Sequence, residues 1–262
     1  MKKICIILAL FISFTFAFDL GSFAKSVVGG SNVSSSNSVV SGLDNSTISS
    51  GLKEALKKGV NFAATQLGKD NGYLNNSLVK IPLPENLAKT ENLVRKFGGD
   101  KIADDLINSM NSAASKAAPK TVDIFMKAID KMSLTDAKKI LSGDKNAATQ
   151  YFKTHTSSSL EKMISPIVDN TMKENSVAKY YDTFNGYYKN YGKKYVQNSG
   201  VMSIAKSFGA DSYLPSDNPE NLNKYVTSKA IDGLFKMIAK EEADIRTNPI
   251  ARTTSLLKKV FN

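Results

Sequence analysis

The chain is nearly devoid of the residue types from which active sites are most often built: its 262 residues include one cysteine, one histidine and no tryptophan. The cysteine, Cys5, lies in an N-terminal stretch that reads as a secretory signal peptide. Lys2 and Lys3 form a basic head, Ile4 to Phe14 an apolar stretch, and Thr15-Phe16-Ala17 a small-x-small cleavage site. Cleavage before Phe18 would remove the only thiol, which excludes disulfides, thiolate catalysis and cysteine-held metals together. A membrane anchor needs about 20 apolar residues, whereas Ser13, Thr15 and Asp19 interrupt this run and no later segment approaches that length. A lipoprotein is also disfavoured, because Cys5 precedes most of the apolar stretch. The expected address is the periplasm, with a position peripheral to a membrane or outside the cell as the variants.

Histidine chemistry is equally thin. His155 has no second histidine four residues away, and neither a cysteine pair nor a Gly-x-Ser-x-Gly elbow occurs. It is expected at an exposed helix end, where the helix dipole favours a cation. Gly98-Gly99-Asp100-Lys101 and Ser142-Gly143-Asp144-Lys145 lack the full phosphate-loop spacing and read as helix stops. The residues therefore assign no catalytic group, no metal site and no cofactor.

What is abundant is positive charge. The formal balance is +11, and taking away Lys2 and Lys3 leaves +9. Outside the cytoplasm such an excess favours an anionic lipid surface, an acidic envelope polymer or a periplasmic protein, and disfavours nucleic acid as a partner. Serine is abundant locally: nine of the twenty residues from Ser31 to Ser50 are serine. This composition reads as a flexible leader, giving an expected layout of signal peptide 1–17, leader 18–50 and domain 51–262.

From Gly51 onward the apolar period is helical. Leu52, Leu56, Val60, Ala63, Ala64 and Leu67 mark a first helix, which Gly68 is expected to end in a left-handed conformation. Gly72 to Asn76 and Ile81-Pro82-Leu83-Pro84 must be turn or extended chain lying across the bundle, because these prolines cannot sit inside a helix. A short helix from Glu85 to Phe97 is closed by Gly98-Gly99, and an alanine-rich stripe from Ile102 to Ala117 continues past Pro119 through Phe125 to Met132. Ser133 and Asp136 form a capping-box pattern for a helix stopped by Gly143. A helix is then expected from Lys145 to Thr154 and a separate one from Ser158, with Pro166 weakening it. Ser176 to Tyr191 is helical again, and an irregular stretch runs from Gln197 to Glu220. Leu222, Val226, Ala230, Leu234 and Ile238 recur every four residues, and Asn248-Pro249 starts a last helix. No alternating strand pattern of useful length occurs, so the fold class is all-α: one bundle-like domain behind a signal peptide and leader.

These residues carry a resemblance across Gly51 to Phe261. Gly51 to Leu56, Gly72 to Asn76, Ile81 to Pro84, Met110-Asn111, Ala117 to Lys120, Ala147 to Thr149 and Tyr151-Phe152 contribute to it. The C-terminal set Tyr225 to Thr227, Gly233 to Phe235, Glu241-Glu242, Ile245-Arg246, Ala251 to Thr254 and Leu256 to Phe261 is the most specific part. Together they resemble the bacterial domain of unknown function four-one-nine-seven, found in exported proteins of Gram-negative bacteria. The resemblance implies an exported, helical, single-domain protein and brings no activity with it.

Two constellations remain as candidate sites. Glu242 and Arg246, four apart on a helix, can pair, and with Arg252 could line a polar pocket for an anionic head group, or else fix the corner between the last two helices. Glu241 beside Glu242 points about 100° away and cannot share a substrate with it. The second is a tyrosine-rich face of Tyr180, Tyr181, Tyr187, Tyr188 and Tyr191, with Lys189 interleaved, which is either core or a wet interface. The leading functional expectation is a non-catalytic periplasmic protein that binds or scaffolds a lipid, anionic polymer or protein of the envelope. A hydrolase using the carboxylate and arginines, and a subunit that self-assembles through the tyrosine face, are the alternatives.

Overall fold

The computed structural model describes residues 44–187 and 220–248, with positions 190 and 258 besides. The expected signal peptide, most of the expected leader, the stretch from Gln197 expected to be irregular and the helix expected after Asn248-Pro249 lie outside the described residues. Within them the chain is helical and contains no strand. The helices are α1 (Asn45–Leu67), α2 (Glu85–Lys96), α3 (Asp100–Ala117), α4 (Val122–Lys131), α5 (Leu134–Ser142), α6 (Ala147–Glu174), α7 (Val177–Tyr187) and α8 (Glu220–Thr247), with a 3-10 turn Ala118–Thr121 between α3 and α4.

All six apolar residues expected on the inner face of α1 are buried, and the helix begins at Asn45, ahead of Gly51, so its first turns use the end of the serine-rich stretch. Gly68 closes it differently from expectation. Its φ of −79° is right-handed. The reason for glycine is space: a Cβ there would stand 2.5 Å from Pro119 Cγ, where the 3-10 turn crosses the end of α1. The left-handed position falls instead to Asn71, with φ 59°.

The segment between α1 and α2 lies against α3 and α8 and is pinned by side chains. Tyr73 is fully buried, its hydroxyl donates to Ala230 O of α8 at 2.7 Å, and its backbone N–H donates to Ser115 Oγ of α3 at 3.2 Å. The ring leaves no space opposite it, since a Cβ on Gly233 would approach Tyr73 Cε1 to 2.5 Å. Asn111, also fully buried, substitutes for a missing strand partner. Its Oδ1 accepts from Ile81 N and its Nδ2 donates to Ile81 O, both at 2.8 Å, so an extended stretch inside a helical protein keeps its peptide groups bonded.

α3 presents Ala103, Ala113, Ala114 and Ala117, all at 0 % exposure, and these small residues let α6 and α7 approach closely. Phe125 of α4 meets Phe152 of α6 edge-on at 5.3 Å and Phe235 of α8 at 6.1 Å, each such pair contributing about 0.5–1.5 kcal/mol beyond burial. The capping box of α5 forms as expected: Ser133 Oγ accepts from Asp136 N, and Asp136 accepts from Ser133 N, both at 3.1 Å. Ser133 Oγ–H also donates to Asp136 Oδ2 at 2.7 Å, and this bond, with the one from Ser133 N, holds the Asp136 carboxyl below its ordinary range.

α6 departs from expectation. One helix of 28 residues runs through both expected segments and through Pro166. Just before the expected start at Ser158, side chains bond backward within the continuous helix, with Thr154 Oγ1 donating to Gln150 O and Ser157 Oγ to Lys153 O. Phe152, Leu160, Ile164 and Val168, all at 0 % exposure, hold the helix together across the proline. α8 packs most extensively on α6 and further on α1 and α3, burying Leu222, Val226, Ala230, Leu234 and Ile238 as the four-residue spacing requires.

Candidate functional site

The first turn of α6 has backbone N–H groups with no partner inside the helix, and Asn146 at its cap provides no side-chain bond. Glu242 of α8 supplies what is missing. Its Oε1 accepts from Ala148 N, and its Oε2 accepts from Thr149 N and Thr149 Oγ1, each at 2.9 Å. One turn along α8, Arg246 donates to the same Oε1 through Nε at 3.1 Å and Nη2 at 3.0 Å. Nη2 also donates to Ile140 O near the end of α5 at 2.7 Å. With side-chain exposures of 6 % for Glu242 and 14 % for Arg246, the pair is a buried clamp joining α5, α6 and α8. A carboxylate at a helix N-terminus is further stabilised by the dipole.

The expected pairing of Glu242 with Arg246 is thus present, and its bonds join α8 to α5 and α6; the corner with the expected last helix lies outside the described residues. Arg252 lies outside the described residues. With five donors on its two oxygens, Glu242 is committed to holding the fold. Glu241 diverges from it toward α1, where its Cβ lies 3.8 Å from the place a Cβ on Gly59 would take. Burial lifts the Glu241 carboxyl above its ordinary range, Lys240 opposes the shift and Asp244 adds to it. The two neighbouring glutamates therefore form no acid and base pair.

The tyrosine-rich face divides by depth. Tyr181 and Phe184 are buried in the core, while Tyr180 and Tyr187 are half-buried against it. Tyr188, Lys189 and Tyr191 lie outside the described residues. His155 is exposed as expected but sits mid-helix in α6, correcting the helix-end placement. Its ring stacks on Tyr151 with centroids 4.1 Å apart, and Nδ1 lies 2.8 Å from Tyr151 O. Among the described residues no group of three histidine, cysteine, aspartate or glutamate side chains could hold a metal ion, and no helix is long and apolar enough to cross a membrane.

A site that sequence reasoning missed lies between the C-terminal half of α1, the turn after it and α8. This cleft encloses about 570 Å³. Phe62 and Leu78 line it at 43 % and 44 % exposure, and they are two of the three large apolar side chains left exposed among the described residues. Met237 adds to the apolar lining, Lys69 and Lys240 contribute ammonium groups and Asp70 a carboxylate. Asn76 ties the turn to α8: its Oδ1 accepts from Leu78 N at 3.1 Å and its Nδ2 reaches Met237 Sδ at 3.5 Å. Lys69 is steadied by Gln66 at 2.8 Å and Lys240 by Asp244 at 3.1 Å, the latter contact holding the ammonium above its ordinary range. The available signal was Phe62, an aromatic residue two positions from Val60 and hence off the buried stripe of α1. The arrangement can hold an apolar chain beside two cations.

No curated protein and no solved structure matches the chain. A family profile described as "Protein of unknown function (DUF4197)" matches residues 42–262, which takes in every helix of the bundle and both the clamp and the cleft. The chain belongs to the DUF4197 family.

Proposed function

We propose that the protein is an exported, non-catalytic binding protein of the cell envelope, delivered by its signal peptide to the periplasm, and that its cleft between α1 and α8 holds an amphiphile with an anionic head group. The observation that carries this reading is the sharing of one cavity by Phe62 and Leu78, both more than two-fifths exposed, with Lys69 and Lys240. Exposed apolar side chains lining a concavity mark a place where burial is still to be gained. A volume of about 570 Å³ suits a single chain-bearing small molecule. The hydrolase alternative draws no support from Glu242, whose oxygens are engaged by the protein itself.

Calorimetric titration with lysophosphatidylglycerol and, separately, lysophosphatidylcholine tests the reading. Saturable binding of the anionic lipid, weakened about tenfold by Lys240→Glu or Leu78→Ser at unchanged melting temperature, is the expected result. Equal binding of both lipids, or of neither, would overturn it. N-terminal sequencing of protein recovered from the periplasm should begin at Phe18, and an intact Met1 would remove the export part of the proposal.

A further inference from the structure

On another side of the turn that follows α1 lies a second concavity, about 560 Å³, formed where that turn meets α3 and the junction of α6 with α7. Asn71, Asn108, Ser112, Asn175, Ser176 and Tyr180 line it. Among the described residues no lysine or arginine lines this groove. The one charged residue in its described lining is Glu174, already engaged by Lys116 at 3.3 Å. Absence of cations argues against a phosphate or carboxylate ligand here, however basic the molecule is elsewhere.

The polar side chains are uncommitted. Among the described residues, the Asn71, Asn108, Ser112 and Asn175 side chains have no hydrogen-bond partner in the protein. An amide presents a donor and an acceptor side by side, and a hydroxyl can be either, which matches the vicinal hydroxyls of a sugar. Tyr180, half-buried, and Leu74 add the apolar contact that the C–H face of a sugar ring needs. The backbone singles out the same place. The two non-glycine residues with positive φ among those described, Asn71 at 59° and Ser176 at 57°, both line this groove. Ser176 takes this conformation just past the C-cap of α6, its N–H donating to Lys173 O at 3.0 Å, so the junction bordering the groove is a defined turn.

We infer that this groove is a binding site for a neutral oligosaccharide, read by the three asparagine amides and stacked on Tyr180. It borders the lipid cleft at Asn71 but uses none of that cleft's apolar or cationic side chains, and the proposal does not depend on that cleft's occupant. The test is an amide-resolved NMR titration of the full chain with chitotetraose and with maltotetraose, each to about 10 mM, a range that captures weak glycan binding. Expected are saturable shifts of the Asn108 and Asn175 side-chain amides, which line this groove alone, with at least one sugar. Asn108→Ala should weaken that binding about tenfold, and Lys240→Glu in the lipid cleft should leave it unchanged. Tyr180→Ala should abolish it; because Tyr180 also touches the core, the exposed Asn108 keeps the outcome decidable if that variant unfolds. No saturable shift with either sugar, or an unaltered affinity in Asn108→Ala, would overturn the proposal.

Discussion

At the junction of α5, α6 and α8 the strong polar groups are engaged by one another, whereas around the turn after α1 amides, hydroxyls and apolar side chains face two concavities with little else to hold. Glu242 and Arg246 are a carboxylate and an arginine, the residue types that suggest chemistry, yet they close the first turn of α6 and a carbonyl of α5. Asn71, Asn108 and Phe62 suggest nothing by type, yet they border open space. In this molecule open surroundings, not reactive residue types, separate a candidate site from a structural joint.

The largest test of that contrast is Glu242→Ala. It leaves the Arg246 guanidinium buried without its carboxylate and the α6 amides uncapped, so urea unfolding should show a loss of about 3–5 kcal/mol. Binding by the folded fraction should be unchanged. Unaltered stability with lost binding would turn the joint into a site. Asn111→Ala is expected next, at about 2–4 kcal/mol, because Ile81 N–H and C=O lose their partner together. Since Asn111 also anchors the segment carrying Leu78, this variant should blur the contrast by weakening lysophosphatidylglycerol binding as well.

Glu241→Gln should act in the opposite direction. A carboxyl whose folded pKa is raised is most compatible with the fold below its unfolded value near 4.3, and that advantage is lost as pH rises through the folded pKa. Melting should therefore rise by about 1–2 °C at pH 7, with no gain at pH 3, the small size reflecting solvent screening. The smallest stability change belongs to Leu78→Ser, within about 0.5 kcal/mol, paired with the clearest loss of amphiphile binding. A destabilisation of several kcal/mol there would place Leu78 with the joint.

The inner faces of α1, α3, α4 and α8 were legible because a 3.6-residue period survives any detail of packing. The capping box of α5 was legible because both its partners lie within four residues. The sequence pattern divides α6 at Ser158, a local N-terminal signal, and only Phe152 to Val168 packing against other helices overrides it and carries the helix through Pro166. Gly68 was misread for a related reason: its neighbour Pro119 is far away in sequence. The Glu242 to Arg246 pair could be read at spacing four, but its bonds to Thr149 span 93 positions. The cleft and the groove were illegible because each is assembled from separate elements whose residues are ordinary turn and surface types.

The bonds from α8 also set an order of events. Tyr73 waits for Ala230 across 157 positions, and the α6 amide of Ala148 waits for Glu242 across 94. A chain that emerges N-terminus first must therefore hold a large hydroxyl-bearing ring and an uncapped helix open until nearly all of it has appeared. Closing such long loops is entropically slow. α8 acts as a latch, so refolding should show a late step that Tyr73→Phe and Glu242→Ala both perturb, while early helix formation proceeds without it.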